Sequence, residues 1–171
     1  RFPSYPLNDK SGCVSADSDN GLGIAGVGFN TRVVPLKVYG AVFKGYESVI
    51  YAAEKGYPII NLSWGCIDCF SHINQDIINY AVLDKNLLII SAAGNSEAED
   101  FWFPASYENV LSVSGLNGSF NKGVNISWNY NVDLMAKGNT VFTTASNGGY
   151  ANVNGTSFAS PMVAGAAALV K

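Results

Sequence analysis

Four uninterrupted apolar runs, separated by segments of helical periodicity, constrain the fold of this chain more than any other feature of its sequence. The runs occupy residues 32–38, 58–62, 87–92 and 110–114. Residues 46–55 and 73–83, which lie between runs, repeat apolar side chains at helical spacing. Strands that are apolar on both faces are typical of a parallel sheet covered by helices. The order strand, helix, strand, helix, strand, strand therefore predicts an α/β three-layer domain with a mainly parallel sheet.

Length and charge exclude several classes of protein. The 171 residues are 48% hydrophobic, which favours one globular domain over a disordered segment. A net charge of -3 without a run of Lys or Arg gives no electrostatic basis for binding nucleic acid or an anionic membrane. No apolar stretch approaches the roughly 20 residues that cross a bilayer, and residues 1–5 are not a signal peptide.

Ligands of α/β folds bind at the carboxyl ends of the parallel strands, so the residues that leave two of the runs are candidates for a site. The run 58–62 is followed by Ser63, Trp64 and Gly65. The run 87–92 is followed by Ala93, Gly94 and Asn95. Asn95 is the best candidate for an oxyanion donor, because a carboxamide at a strand end can aim its N–H at a substrate carbonyl.

Ser157 is the candidate nucleophile. It stands in the sequence NGTSFASPMVAG, residues 154–165, and an Ala-rich run follows at 164–170. This pattern predicts that Ser157 lies at the N-terminus of a helix, where unpaired amides favour developing negative charge. A serine also needs a base within hydrogen-bond reach in order to lose its proton.

Gly-Thr-Ser followed by an apolar residue, Ala, a small residue and Pro, at residues 155–161, resembles the nucleophile motif of the subtilisin-like serine proteases. The resemblance extends over residues 11–171 and includes the segments 61–65, 91–95, 103–105, 110–113 and 132–136, although Lys137 stands where the family usually has proline. It implies a subtilisin-like fold in which Ser157 attacks a peptide bond. It also implies that Asn95 and the Ser157 amide hold the oxyanion.

The resemblance assigns a substrate-binding role to several further residues. Ser63, Trp64 and Gly65 correspond to the strand that pairs with an extended peptide, and Ala93 and Gly94 precede the oxyanion asparagine. Trp102 falls in a stretch that contributes to the specificity pocket, where its bulk favours small side chains before the scissile bond. Packing of Trp102 within its own loop is the alternative.

The base and its orienting acid are missing from this sequence. The family motifs His-Gly-Thr and Asp-Thr-Gly or Asp-Ser-Gly do not occur, and Pro6 stands where the histidine is expected, five residues before Ser11. The only histidine, His72, is expected on a helix surface near Asp76. Nothing in the sequence brings the amine of Lys137 or Lys171 near Ser157 for a Ser-Lys dyad.

Two functions follow. The first is a serine endopeptidase of which this chain is an incomplete record or fragment, with the Asp and His on a missing segment and a peptide or protein as its substrate. The abrupt ends of the chain favour this, and residues 8–11 are interpreted as a seam between non-adjacent pieces. The alternative is a pseudoprotease that binds peptides. Residues 1–171 are predicted to form a single partial domain with a poorly assigned segment at 1–10, secreted, periplasmic or on the cell surface. A propeptide is a further expected partner.

The loop of Asp17, Asp19 and Asn20 is a candidate calcium site. It clusters oxygen ligands before Gly21 and lies where family members often bind calcium, although a solvated turn fits equally well. The chemistry itself is expected to require no cofactor.

The cysteines leave several readings open. Cys66 and Cys69 fit a disulfide, two thiols or a redox pair, whereas zinc lacks a second ligand pair; Cys13 is the odd cysteine.

Overall fold

The computed structural model describes residues 9–38, 42–145 and 148–171. The described residues form four α-helices: α1 (Asp9–Ser15), α2 (Val42–Glu54), α3 (His72–Asn79), which a π-helical turn (Tyr80–Asp84) continues, and α4 (Thr156–Val170). The strands are β1 (Ile59–Leu62), β2 (Cys66–Ile67), β3 (Leu88–Ala92), β4 (Trp102–Phe103), β5 (Val110–Leu116), β6 (Leu134–Lys137), β7 (Val141–Thr144) and β8 (Tyr150–Val153). None of the described helices is long and apolar enough to cross a membrane.

Four strands form the central sheet in the order β1-β3-β5-β6, and all of its neighbours are parallel. The register places Ile60 beside Ile89, Ile90 beside Leu111, and Val113 beside Leu134. Two antiparallel ribbons, β2 with β4 and β7 with β8, stand apart from it. The predicted mainly parallel sheet is confirmed.

Both faces of the sheet are covered by helices. Successive side chains of a strand point to opposite faces, so neighbouring residues report on the two sides. Ile89 and Ile90, neighbours on β3, are both fully buried but belong to different clusters. Ile89 packs in the cluster that contains Val49 of α2 and Ile78 of α3. Ile90 packs with Ala159 and with Ala164. Helices therefore lie on both sides, as the three-layer prediction requires.

The predicted strand at residues 32–38 is wrong. The structure assigns no strand there, and Val33 and Val34 are 37% and 51% exposed. A buried strand needs a neighbour that supplies its hydrogen bonds, and β1 is the last strand on its side of the described sheet. Apolar composition alone was therefore misleading. Pro6 and most of the segment 1–10 lie outside the described residues.

Candidate active site

Gly155 sets the start of α4. Its φ of 130° lies in a region that strains residues with a Cβ, and its N–H donates to the Gly138 carbonyl at 2.7 Å. The helix begins at the next residue, so Ser157 is its second residue and is partly exposed. The prediction that Ser157 lies at a helix N-terminus is confirmed.

The turn after β3 is fastened to this helix start by Thr156. The Thr156 N–H donates to Oδ1 of Asn95 at 2.9 Å. The buried Thr156 hydroxyl accepts from the Gly94 N–H at 3.1 Å and lies 3.1 Å from both the Gly94 carbonyl oxygen and Asn95 Oδ1. The structure thus brings Asn95 and Ser157, which are 62 residues apart in the sequence, to the same helix turn.

Two donors remain available beside Ser157. Because Asn95 Oδ1 accepts from Thr156, the carboxamide presents its Nδ2 in another direction, and no described residue accepts from that nitrogen. The Ser157 N–H likewise has no acceptor in the described ranges. A pair of unoccupied N–H donors at a helix N-terminus is suited to hold a developing oxyanion.

Ser63 reaches the same turn from the end of β1. Its Oγ donates to the Ser157 carbonyl at 3.0 Å and accepts from Asn61 Nδ2 at 2.9 Å. Oδ1 of Asn61 accepts from the hydroxyl of Ser160 on α4. The carboxyl ends of β1 and β3 therefore both contact the beginning of α4.

Segment 63–65 carries backbone groups that are open to a further strand. None of its three residues forms a backbone hydrogen bond with the rest of the described chain. A Cβ on Gly65 would lie 2.7 Å from the Phe103 oxygen, so glycine permits the close approach to β4. Trp64 turns its ring inward against Tyr46 on α2. The two ring centroids are 5.3 Å apart, and the rings are nearly perpendicular. Burial raises the pKa of Tyr46 and keeps its hydroxyl neutral.

Trp102 lies over Gly94. Gly94 has a φ of 109°, and any Cβ there would overlap the indole ring. Both backbone groups of Gly94 are already hydrogen-bonded, its carbonyl also to the Ser127 N–H at 3.0 Å, and the Ala93 side chain is fully buried. Gly94 and Ala93 are therefore fixed in place directly before Asn95, and the Trp102 ring packs against Gly94.

No described base contacts Ser157. Its hydroxyl has no hydrogen-bond partner within residues 9–38, 42–145 and 148–171. His72 is exposed at the first position of α3, where its ring stands 5.0 Å from that of Phe70. Lys137 and Lys171 are also exposed and form no bond with Ser157. The described residues thus place the Ser157 hydroxyl beside two unoccupied N–H donors, without a group that could accept its proton.

The candidate calcium loop is exposed and is not joined to this site by any described contact. Asp17, Asp19 and Asn20 are all exposed, in a shallow cavity lined by residues 17–25. Asn20 Oδ1 accepts from the Leu22 N–H at 2.9 Å. No group of three or more His, Cys, Asp or Glu side chains in the described chain is arranged to hold a metal.

A disulfide joins Cys66 and Cys69, so the structure has the disulfide in place of two free thiols. It closes the turn that follows segment 63–65, and Cys66 pairs with Phe103 between β2 and β4. Cys13 is buried, and its thiol donates to Thr143 Oγ1 at 3.5 Å.

Three residues of the site were not assigned roles from the sequence: Asn61, Thr156 and Ser160. Each carried a signal, since Asn61 is a polar residue in an apolar run and Ser160 interrupts an Ala-rich helix. Thr156 is part of the quoted motif and is fully buried. A buried polar side chain needs a partner, and here the partners lie on other elements.

The fold defines an α/β domain with a parallel sheet, and its site places a helix-start serine beside a carboxamide donor. The sequence profile described as "Subtilase family" matches residues 10–171, and the chain belongs to this family. The thermophilic serine proteinase of Bacillus sp. (strain AK1) is 37% identical over 167 residues, which cover 94% of this chain and 41% of that protein. Subtilisin BL of Lederbergia lenta is 34% identical over 158 residues, which cover 90% and 58%.

Solved structures agree with the sequence relatives. A protease from Pseudoalteromonas arctica PAMC 21717 superposes with a TM-score of 0.89 at 27% identity, over 95% of this chain and 57% of that one. The subtilisin-like fold is therefore confirmed. The chain spans 41% of the thermophilic proteinase and 58% of subtilisin BL.

Proposed function

We propose that the complete protein is a serine endopeptidase that cleaves peptide bonds through an acyl-enzyme on Ser157. A histidine outside the present sequence takes the Ser157 proton as Oγ attacks the scissile carbonyl. Asn95 Nδ2 and the Ser157 N–H stabilise the oxyanion of the tetrahedral intermediate. The histidine then protonates the leaving amine, and water releases the acid product in a second round.

The observation that carries the proposal is the pair of unoccupied donors beside Ser157. The Thr156 N–H holds Oδ1 of Asn95, which leaves Nδ2 as the end of the carboxamide able to donate. Electrostatic stabilisation of this kind is effective because the donors are fixed before the charge forms.

The test is the substitution Asn95→Ala in the complete protein. We expect kcat to fall by about 100-fold or more, the usual loss when one oxyanion donor of such an enzyme is removed, with little change in KM. The control is Asn152→Ala, which removes an exposed carboxamide from β8 and is expected to leave the rate unchanged. An unchanged kcat in Asn95→Ala would refute the oxyanion role.

The pseudoprotease is the second candidate, favoured by one observation: no described base contacts Ser157. The two candidates differ in the coding sequence upstream of Ser11. A gene that encodes neither His-Gly-Thr nor Asp-Thr-Gly or Asp-Ser-Gly would exclude the endopeptidase. Peptide binding without hydrolysis would then be the expected activity.

Substrate binding is proposed to use segment 63–65 and the ring of Trp102, which would form one wall of the pocket for the side chain before the scissile bond. The open backbone groups of Ser63, Trp64 and Gly65 support pairing with an extended peptide, and the inward-facing Trp64 ring leaves the pairing to the backbone. Trp102 over Gly94 supports a pocket for small side chains. Trp102→Ala should raise kcat/KM for Phe relative to Ala before the scissile bond; an unchanged preference would contradict this.

A structural calcium ion and an extracellular location complete the proposal. Two carboxylates and an amide lie within four positions at Asp17, Asp19 and Asn20, and the Asn20 oxygen keeps a lone pair beside its bond to Leu22. If calcium binds, Asp19→Asn should remove any calcium-dependent rise in the thermal midpoint; no such rise in the parent protein would contradict the site. The disulfide Cys66–Cys69 supports an oxidising compartment.

A further inference from the structure

The carbonyl of the nucleophile residue lacks its helical donor. In an α-helix the carbonyl of one residue accepts from the N–H four residues later. For Ser157 that residue is Pro161, which lies inside α4 and has no N–H. The Ser157 carbonyl therefore needs a partner from outside the helix.

Ser63 supplies the partner. Its hydroxyl donates to the Ser157 carbonyl at 3.0 Å from the end of β1. A carbonyl can only accept, so the Ser63 proton must point at Ser157, and the Ser63 oxygen must then accept from its other neighbour. That neighbour is Asn61, whose Nδ2 lies 2.9 Å away.

This sequence of donors fixes the orientation of Asn61. Nδ2 faces Ser63, so Oδ1 faces α4, where it accepts from the hydroxyl of Ser160. The assignment of the amide atoms thus follows from the bonds themselves. The two hydrogen bonds are donated in one direction: Asn61 donates to Ser63, and Ser63 donates to the Ser157 carbonyl.

We propose that Asn61 and Ser63 are positioning residues for the nucleophile: their hydrogen-bond relay replaces the donor that Pro161 lacks and fixes the first turn of α4. The inference rests on the proposed endopeptidase function. The relay connects the end of β1 to Ser157, while Thr156 connects the turn after β3, which carries Asn95, to the same helix start. Ser157 and Asn95 are in this way held at the ends of β1 and β3, which are neighbouring strands of one sheet.

The first test is a double-mutant cycle in the complete protein. Ser63→Ala should lower kcat by about 10- to 100-fold with KM within about twofold, because a small displacement of a reacting group is costly. Pro161→Ala restores the missing N–H, so Ser63→Ala combined with Pro161→Ala should recover kcat to within about threefold of Pro161→Ala alone. A double variant no faster than Ser63→Ala would overturn the proposal.

The second test uses the direction of the relay. Asn61→Asp cannot donate, and its carboxylate would draw the Ser63 proton away from the Ser157 carbonyl. It should therefore lower kcat at least as much as Ser63→Ala, whereas Asn61→Ala, which leaves the Ser63 proton free to donate, should have the smaller effect. The reverse order would contradict a directional relay.

Thermal unfolding separates this proposal from the proposed function. Ser63→Ala should lower the thermal midpoint by about 3 °C, and Pro161→Ala should cancel that loss, whether or not the parent protein hydrolyses peptides. An inactive parent with an intact stability cycle would defeat the endopeptidase alone. A cycle without coupling would defeat the relay alone.

Discussion

Replacement of Thr156 by valine isolates the polar contacts that join α4 to the turn after β3. The Thr156 side chain is fully buried, and valine has nearly the same shape, so no cavity is created. The Gly94 N–H loses its acceptor, which is 3.1 Å away in the parent. The Gly94 carbonyl keeps its bond from the Ser127 N–H, and Asn95 Oδ1 keeps its bond from the Thr156 N–H.

The expected cost follows from this inventory. One buried donor left without a partner costs about 1–3 kcal/mol, so Thr156→Val should lower the free energy of unfolding by about 2 kcal/mol. Thr156→Ser keeps the hydroxyl and loses one buried methyl group, which costs about 1 kcal/mol. The stability order should therefore be parent, serine variant, valine variant.

Urea denaturation of the complete protein measures this order. A Ser157→Ala background prevents self-digestion during the titration without altering Thr156. The midpoint should shift at constant slope, as expected when only stability changes. A valine variant as stable as the parent, or a serine variant less stable than the valine variant, would refute the assignment of the stabilisation to the hydroxyl.

Two further predictions concern Gly155 and Glu54. Gly155→Ala places a Cβ at a φ of 130° and 3.2 Å from Asn95 Oδ1, so it should cost about 1–3 kcal/mol in urea denaturation and slow acylation; unchanged values would count against it. The pKa of Glu54 is lowered below its usual 4.5, first by the hydrogen bond from the Tyr80 hydroxyl and then by the hydrogen bond and positive charge of Lys85. The resulting stabilisation of the folded state is fully present above the usual pKa of Glu54, and it is lost as the pH falls through the lowered pKa of the folded protein. Glu54→Gln should therefore lower the thermal midpoint at neutral pH but not in acid below that pKa, and an equal loss at both would contradict the assignment.

Most helices and strands of the central sheet were predictable because the spacing of apolar residues indicates which side chains are buried. β1, β3 and β5 coincide with three of the four apolar runs, and α2 and α3 with the two helical periodicities. Residues 32–38 failed because a strand depends on a partner elsewhere in the chain, which local composition does not encode. The ribbon of β7 and β8 was not predicted, since each strand alternates more and less exposed positions over only four residues.

The site was predictable in its parts but not in its connections. Ser157 and Asn95 could be chosen from motif and position, and the structure brings them together. The roles of Thr156, Asn61 and Ser63 depend on hydrogen bonds between residues up to 99 positions apart, which no local pattern reports. Such contacts exist only after the sheet has aligned its strand ends.

The most direct test of the central claim is active-site labelling of the complete protein with a fluorophosphonate, followed by peptide mass mapping. The adduct should form on Ser157 with loss of fluoride, at a rate that falls by about 100-fold in Asn95→Ala, because the phosphoryl oxygen of the five-coordinate transition state uses the same oxyanion donors. Absence of an adduct, an adduct on another serine, or an unchanged rate in Asn95→Ala would contradict the assignment of Ser157 and Asn95 as nucleophile and oxyanion donor.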